Sequence, residues 1–121
     1  MHELSIGMSL VEGACEQAAL LHGVRVAAVH VRIGPLSGVV ARALEFSFEV
    51  ASADTPIAGA RLIIEETPLV VYCPQCTENR VIATPQHLRC PVCGTSTPEI
   101  VGGQELELFA LEVESDVATH R

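Results

Sequence analysis

The spacing of apolar residues near the start of the chain predicts an amphipathic helix between residues 4 and 21. Apolar side chains recur there in alternating steps of four and three positions, which places them on one helical face. The series consists of Leu4, Met8, Val11, Cys15 and Ala18. Glycine readily adopts the left-handed conformation that ends a helix, so the helix is expected to end near His22-Gly23. In this register Cys15 points into the core.

The apolar residues after the first helix also follow patterns that are typical of strands and helices. Residues 24–33 are rich in β-branched types and alternate apolar with polar side chains, which predicts a strand with one covered face. Apolar residues at four-residue spacing then predict a second helix from residue 37 or 38 to residue 51. Three further strands are expected, at residues 61–66, 69–72 and 105–114. Pro68 separates the first two because proline cannot donate to a strand ladder.

These elements predict an α+β fold with a small three-stranded sheet and two helices on one face of it. Helices packed on one sheet face satisfy the layer rule for small domains. The last strand is expected to return to that sheet after an inserted, zinc-ribbon-like subdomain that carries four cysteines. Residues 1–72 then form the first part of the main domain, residues 73–98 the zinc-binding subdomain, and residues 99–121 the returning strand and a tail.

Charge and composition exclude several classes of partner. The net charge is −8, with 15 acidic against 7 basic residues and no lysine, so the chain should repel phosphate backbones and bind no nucleic acid.

No apolar run approaches the ~18 residues of a membrane span. The opening residues lack the basic and apolar regions of a secretory signal, so a cytoplasmic location is expected. Thiols stay reduced there, free for metals or catalysis.

Two cysteine pairs predict a metal site. Cys73 and Cys76 flank Pro-Gln, Cys90 and Cys93 flank Pro-Val, and thirteen residues separate the pairs. Zinc takes four thiolates in a tetrahedron at about 2.3 Å, and a two-residue spacer aims both sulfurs of a pair at one ion. Iron in a rubredoxin-like site is the main rival, and a redox dithiol is disfavoured because neither pair opens a helix after a strand. Four protein ligands close such a site, so any other chemistry lies elsewhere.

The N-terminus offers a second kind of ligand set. Histidine is large, so the initiator is expected to remain on the chain, and Met1 then keeps a free α-amine. That amine, the His2 amide nitrogen and the His2 imidazole can close fused chelate rings around one ion. Nitrogen sets of this kind suit the square-planar preference of nickel(II) or copper(II). The alternative is a solvated terminal histidine, and Glu3 has an equally simple explanation as an acidic residue in a helix first turn.

Nothing in the sequence predicts an enzyme. There is no Ser-His-Asp spacing and no glycine-rich phosphate loop, and Cys15 is expected to be a core residue. Two alternatives to a metal carrier stay open on these residues alone. One is a zinc-ribbon adaptor that binds other proteins and has no nickel role, and the other is an iron-containing electron-transfer module.

Several motifs in order resemble the HypA family of hydrogenase maturation factors, also called hydrogenase nickel-incorporation proteins. They are Met1-His2-Glu3-Leu4-Ser5, Arg32-Ile33-Gly34, the two cysteine pairs and Gly103-Gln104-Glu105-Leu106. The match spans nearly the whole chain. The start motif together with the double cysteine pair is specific as a combination.

The resemblance implies a nickel metallochaperone that helps deliver nickel to the large subunit of [NiFe]-hydrogenase together with a partner GTPase. Some members of the family also serve urease. By the same resemblance His2 and the Met1 α-amine bind nickel as cargo, and Glu3 supports that site. Cys73, Cys76, Cys90 and Cys93 hold structural zinc, and the main domain is the nickel-binding one.

Overall fold

The structure, a computed structural model, describes residues 3–22 and 24–115. Its helices and strands follow in chain order: α1 Glu3–Ala19, β1 Val24–Ile33, α2 Ala41–Ser52, β2 Arg61–Glu66, β3 Leu69–Cys73, β4 Glu78–Ile82, β5 Glu99–Gly102 and β6 Leu106–Ser115. Neither described helix combines the length and apolarity that crossing a bilayer requires.

The strands form two three-stranded sheets. The first has the order β2-β1-β6, so the last strand returns to the sheet of β1 and β2 as predicted. The second has the order β4-β3-β5 and is antiparallel throughout. Strands β4 and β5 were not predicted from the sequence. The α+β class with a separate cysteine region is confirmed.

The chain divides into two compact units. The first, called the helical unit, comprises the described parts of Met1–Val31, Val39–Glu65 and Glu107–Arg121. The second, called the cysteine unit, comprises Arg32–Gly38 and Glu66–Leu106. The functional division at residues 73 and 98 stays a prediction, because it concerns what each segment binds.

Helix α1 is present, and Val11 is buried as predicted, but most of the predicted core face is wrong. Leu4 and Met8 are 48% and 58% exposed. The buried residues of α1 are Ile6, Gly7, Leu10, Val11 and Ala14, and Cys15 is half-buried. The buried face of α1 includes Gly7, which packs closely against Ser47 and Phe48 of α2 and which a count of large apolar residues overlooks.

Helix α2 begins later than predicted. Gly38 has a φ of +79°, which lies outside the helical region, so the first helical residue is Ala41. Val40 precedes it in extended conformation and makes no side-chain cap. Leu44 and Phe48 are buried in the helical unit, as their spacing predicted.

We expect Gly7→Val to destabilise the helical unit by about 1–3 kcal/mol, because overpacking forces backbone shifts. A Cβ at Gly7 would lie 3.1 Å from the Ser47 carbonyl carbon and 3.2 Å from the Phe48 nitrogen, so even the first added atom is tight. Chemical denaturation measures the change in free energy of unfolding.

Gly13→Ala is the matched control in the same helix. A Cβ at Gly13 meets nothing within 4 Å, so alanine should stabilise α1 by about 0.5–1 kcal/mol through helix propensity. Equal effects of the two substitutions would contradict close helix packing at Gly7.

The cysteine unit has a small apolar core. Leu69 and Val71 of β3 and Ile82 of β4 are buried together. Leu36, Leu88 and Ile100 pack against them partly buried. Four of these six residues lie outside the predicted insert at 73–98, so the apolar core is formed largely by the flanking segments.

A carboxylate network joins three segments of the cysteine unit. Glu105 Oε1 accepts hydrogen bonds from Thr67 Oγ1 at 2.7 Å and from the Gly103 N–H at 2.9 Å. The Gly34 N–H donates to the Glu105 carbonyl at 2.8 Å, and a Cβ at Gly34 would overlap the Gly103 backbone. Only glycine therefore fits at position 34.

Ionisation of Glu105 should stabilise the cysteine unit. Hydrogen bonds from Thr67 and two backbone N–H groups, together with the charge of Arg32, hold the pKa of the Glu105 carboxyl below its ordinary 4.5. A lowered folded-state pKa adds stability above the unfolded value that is lost as pH falls through the folded one.

Glu105→Gln should therefore lower the free energy of unfolding at pH 7, and its difference from the wild type should shrink as pH falls below 4.5. Urea titrations across this range measure the difference. Glu99→Gln, which changes an exposed carboxylate on β5, is the control. A difference for Glu105→Gln that stays constant with pH would contradict the network.

Candidate metal centre

The four predicted cysteines converge in the cysteine unit. Their sulfurs all lie within 4.8 Å of one another. The Cys73 and Cys93 sulfurs are 3.5 Å apart, and those of Cys76 and Cys90 are 3.9 Å apart. A tetrahedron with zinc–sulfur bonds of about 2.3 Å has edges of about 3.8 Å, so the donor set and its spacing are compatible with structural zinc.

Each cysteine pair forms a tight turn that directs backbone donors at sulfur. The Cys76 N–H donates to Cys73 Sγ at 3.3 Å. In the second turn the Val92 and Cys93 N–H groups donate to Cys90 Sγ at 3.4 and 3.5 Å. These bonds stabilise negative charge on sulfur, as expected for metal-binding thiolates.

The residue after each pair adopts the left-handed conformation. Gly94 has a φ of +76°, and Thr77, with a φ of +52°, occupies the equivalent position in the first turn. Thr77 Oγ1 donates to the Cys76 carbonyl at 2.6 Å, which compensates in part for a conformation that threonine rarely adopts. The two turns therefore share one backbone design.

The thiol pKa values are spread apart by their surroundings. Burial of Cys90 raises its pKa, but N–H bonds from Cys93 and Val92 outweigh this and lower the value to about 6. Hydrogen bonds with Thr95 lower the pKa of Cys93.

Cys73 differs in the opposite direction. The Cys76 N–H lowers its pKa, but burial and hydrogen bonds with the neighbouring thiols together raise it to about 11. Crowded sulfurs resist carrying four negative charges at once, and a divalent cation among them would favour the thiolate at every position.

The other predicted site residues are not part of the sulfur cluster, or they fall outside the residues that the structure describes. Met1 and His2 fall outside the described residues. Glu3 lies in the first turn of α1, and its Oε2 accepts the Val40 N–H at 3.3 Å, at the start of α2. Cys15 is outside the sulfur cluster.

The sheet histidine His30 has structural partners. Its Nε2 lies 2.9 Å from Glu112 Oε1, and its ring meets Phe109 edge-on. His30 therefore has both a hydrogen-bond partner and a ring contact on the sheet. His87, between the cysteine pairs, is exposed.

Sequence reasoning missed one residue of the metal centre. Arg80 on β4 interacts with the Cys76 and Cys90 thiols, which raise the pKa of its guanidinium. One sequence feature could have identified Arg80. It lies two positions before Ile82, so the two side chains would share one face of a strand that follows Cys76.

Two helices, two three-stranded sheets and a four-cysteine cluster define a small metal-binding protein of the α+β class. The family model described as HypA, hydrogenase/urease nickel incorporation, metallochaperone, matches residues 1–113. The chain therefore belongs to the HypA family of nickel metallochaperones, which act in hydrogenase maturation.

Relatives named hydrogenase maturation factor HypA match along almost their whole length. The protein of Roseiflexus sp. (strain RS-1) is 57% identical over 118 residues, which cover 96% of this chain and 94% of that one. The protein of Chloroflexus aurantiacus (strain J-10-fl) is 53% identical over 112 residues, with 93% and 98% covered.

Two solved structures share the fold. The solution structure of the Ni metallochaperone HypA from Helicobacter pylori matches with a TM-score of 0.65 at 25% identity, covering 95% of this chain and 99% of that one. Another solution structure of a HypA protein gives a TM-score of 0.70 at 24% identity, with 94% and 97% covered.

Replacing Cys90 with serine should abolish stoichiometric zinc binding and unfold the cysteine unit, because one lost thiolate opens a structural site. Elemental analysis and amide hydrogen exchange measure the two effects. Cys15→Ser is the control, and it should leave the zinc content unchanged. Full zinc retention in Cys90→Ser would contradict the four-sulfur site, and visible absorption by the purified protein would indicate iron instead.

Proposed function

We propose that this protein binds Ni(II) at its N-terminus and hands the ion on during [NiFe]-hydrogenase maturation. The observation that carries the proposal is the family match over residues 1–113, which includes Met1 and His2 and is described by nickel incorporation. A separate sulfur cluster with a full set of four ligands leaves the cargo ion to other donors.

The chemistry of the chain end supports a nickel site there. The Met1 α-amine, the His2 amide nitrogen and the His2 imidazole supply adjacent nitrogen donors, which suit the square-planar geometry of Ni(II). A site at a chain end can pass its ion on by ligand exchange. In this proposal the protein transports nickel and does not catalyse a reaction.

Glu3 supports the site through position. Its carboxylate accepts a hydrogen bond from the Val40 N–H, where the positive end of the α2 dipole favours an anion. The contact joins the beginnings of α1 and α2 within the helical unit. Glu3 thereby anchors the start of α1, directly after the two residues that are proposed to bind nickel.

The four cysteines hold zinc as a structural ion in this proposal. The protein works in the cytoplasm with a GTPase of the maturation pathway, and the large subunit of the hydrogenase receives the nickel. The names of the relatives, which are hydrogenase maturation factors, support a role in that pathway.

Substituting His2 with alanine should remove stoichiometric nickel binding and leave zinc content unchanged, because the imidazole closes the outer chelate ring. Isothermal titration with NiCl₂ and elemental analysis of untagged protein measure both. Acetylation of the α-amine should have the same effect. His22→Ala, which removes an exposed histidine just past α1, is the matched control.

Unchanged nickel stoichiometry in His2→Ala and in the acetylated protein would overturn the proposal and favour a zinc-ribbon adaptor. Wild-type nickel affinity should also weaken between about pH 7.5 and pH 6, because the amine and the imidazole must lose protons to bind the ion.

A further inference from the structure

The register of the second sheet places Arg80 on a buried face. Residues paired across antiparallel strands point to the same side, and Arg80 pairs with Val71. Val71 is fully buried, as is Cys73 two positions further along β3. The neighbouring pair on this face is Leu69 with Ile82, also buried. Arg80 therefore lies between the apolar core of the cysteine unit and the sulfur cluster.

A guanidinium in this position needs acceptors. Arg80 is only 23% exposed at its side chain, and its Nη1 donates to Glu78 Oε1 at 3.2 Å. Its Nε is out of contact with solvent and has no hydrogen-bond partner among the described residues. Burying such a donor is costly unless an anion lies nearby. The Cys76 and Cys90 thiols are the neighbours that most raise the pKa of the guanidinium.

We propose that Arg80 is a positioning residue of the zinc site, a fixed cation that stabilises the Cys76 and Cys90 thiolates from outside and slows the loss of zinc. Four thiolates around Zn²⁺ carry a net charge of −2, and the guanidinium offsets half of it. A nearby positive charge also favours the thiolate form of each sulfur over its protonated form.

The Cys76 and Cys90 sulfurs form one edge of the cluster, 3.9 Å long. Cys76 is half-buried, whereas Cys90 is 2% exposed. In this proposal the charge of Arg80 acts on a half-buried ligand as well as on a buried one. Cys93, the exposed ligand, has Thr95 as its hydrogen-bond partner instead. Arg80 and Thr95 therefore serve different sulfurs.

The inference rests on the proposed zinc occupancy of the cysteines and not on nickel binding. The test uses full-length zinc-loaded protein and two neutral variants, Arg80→Met, which keeps the long stem, and Arg80→Gln, which keeps a polar donor. The rate of zinc transfer to excess 4-(2-pyridylazo)resorcinol is measured at constant pH. Both variants should release zinc about tenfold or more faster than the wild type, the scale seen for outer partners of metal ligands.

Two further variants separate local charge from other causes. Arg80→Lys should fall between the wild type and the neutral variants, because an ammonium keeps the charge but lacks the planar fork that spans two acceptors. Arg61→Met removes the same charge from an exposed position in the helical unit and should release zinc at the wild-type rate.

Iodoacetamide labelling followed by mass spectrometry gives a readout that general loosening would not produce. In Arg80→Met, Cys76 and Cys90 should gain reactivity more than Cys73 and Cys93 do. Loosening of the whole unit would instead accelerate the exposed Cys93 first.

Wild-type release rates in both neutral variants would overturn the role of Arg80, as would a labelling increase led by Cys93. An Arg80→Lys rate equal to that of the neutral variants would also overturn a role based on charge. Wild-type protein that carries no zinc would remove the premise for the whole cluster, and the nickel titration of the N-terminus would remain a separate result.

Discussion

Four cysteine sulfurs held within 4.8 Å of one another impose the constraint on which the cysteine unit depends. The Cys76 N–H lowers the pKa of Cys73, but burial and hydrogen bonds with the other thiols raise it overall, whereas backbone N–H bonds outweigh burial and lower the pKa of Cys90. The apolar core beside them is small, so it adds limited stability of its own. The stability of the cysteine unit therefore depends on how the negative charge on its sulfurs is compensated. The backbone N–H groups of both turns contribute to this compensation by donating hydrogen bonds to sulfur.

The sequence predicted the sulfur cluster because the requirement is local. Two residues between cysteines suffice to aim both side chains at one point, and proline and glycine in the turns reinforce that geometry. Helices and most strands followed from periodicity for the same reason. The core face of α1 did not, because Gly7 is buried by α2, which follows more than thirty residues later. An apolar count assigns no weight to a residue without a side chain.

Strands β4 and β5 and the role of Arg80 escaped prediction for a related reason. Residues 78–82 contain only two apolar side chains, so their alternation is weak, and their strand conformation depends on pairing with β3. Metal ligands in proteins are chiefly cysteine, histidine and carboxylate side chains. A pattern of ligands in the sequence therefore does not indicate an arginine. Only the strand register shows that Arg80 shares a face with Cys73. Ligands are visible in a sequence, whereas their outer partners require the fold.

Under the proposed function, ligand chemistry rather than raw affinity keeps two metals apart. Nickel(II) is not intrinsically a weaker binder than zinc, so a site of low selectivity would accept either ion. Four thiolates in two tight turns favour a tetrahedral ion, and the proposed charge of Arg80 would slow its exchange. The nitrogen donors proposed for nickel instead favour a square-planar ion, which ligand exchange can remove one bond at a time. Under this proposal, retention and delivery require different donor sets, and the cysteines and the first two residues supply one each.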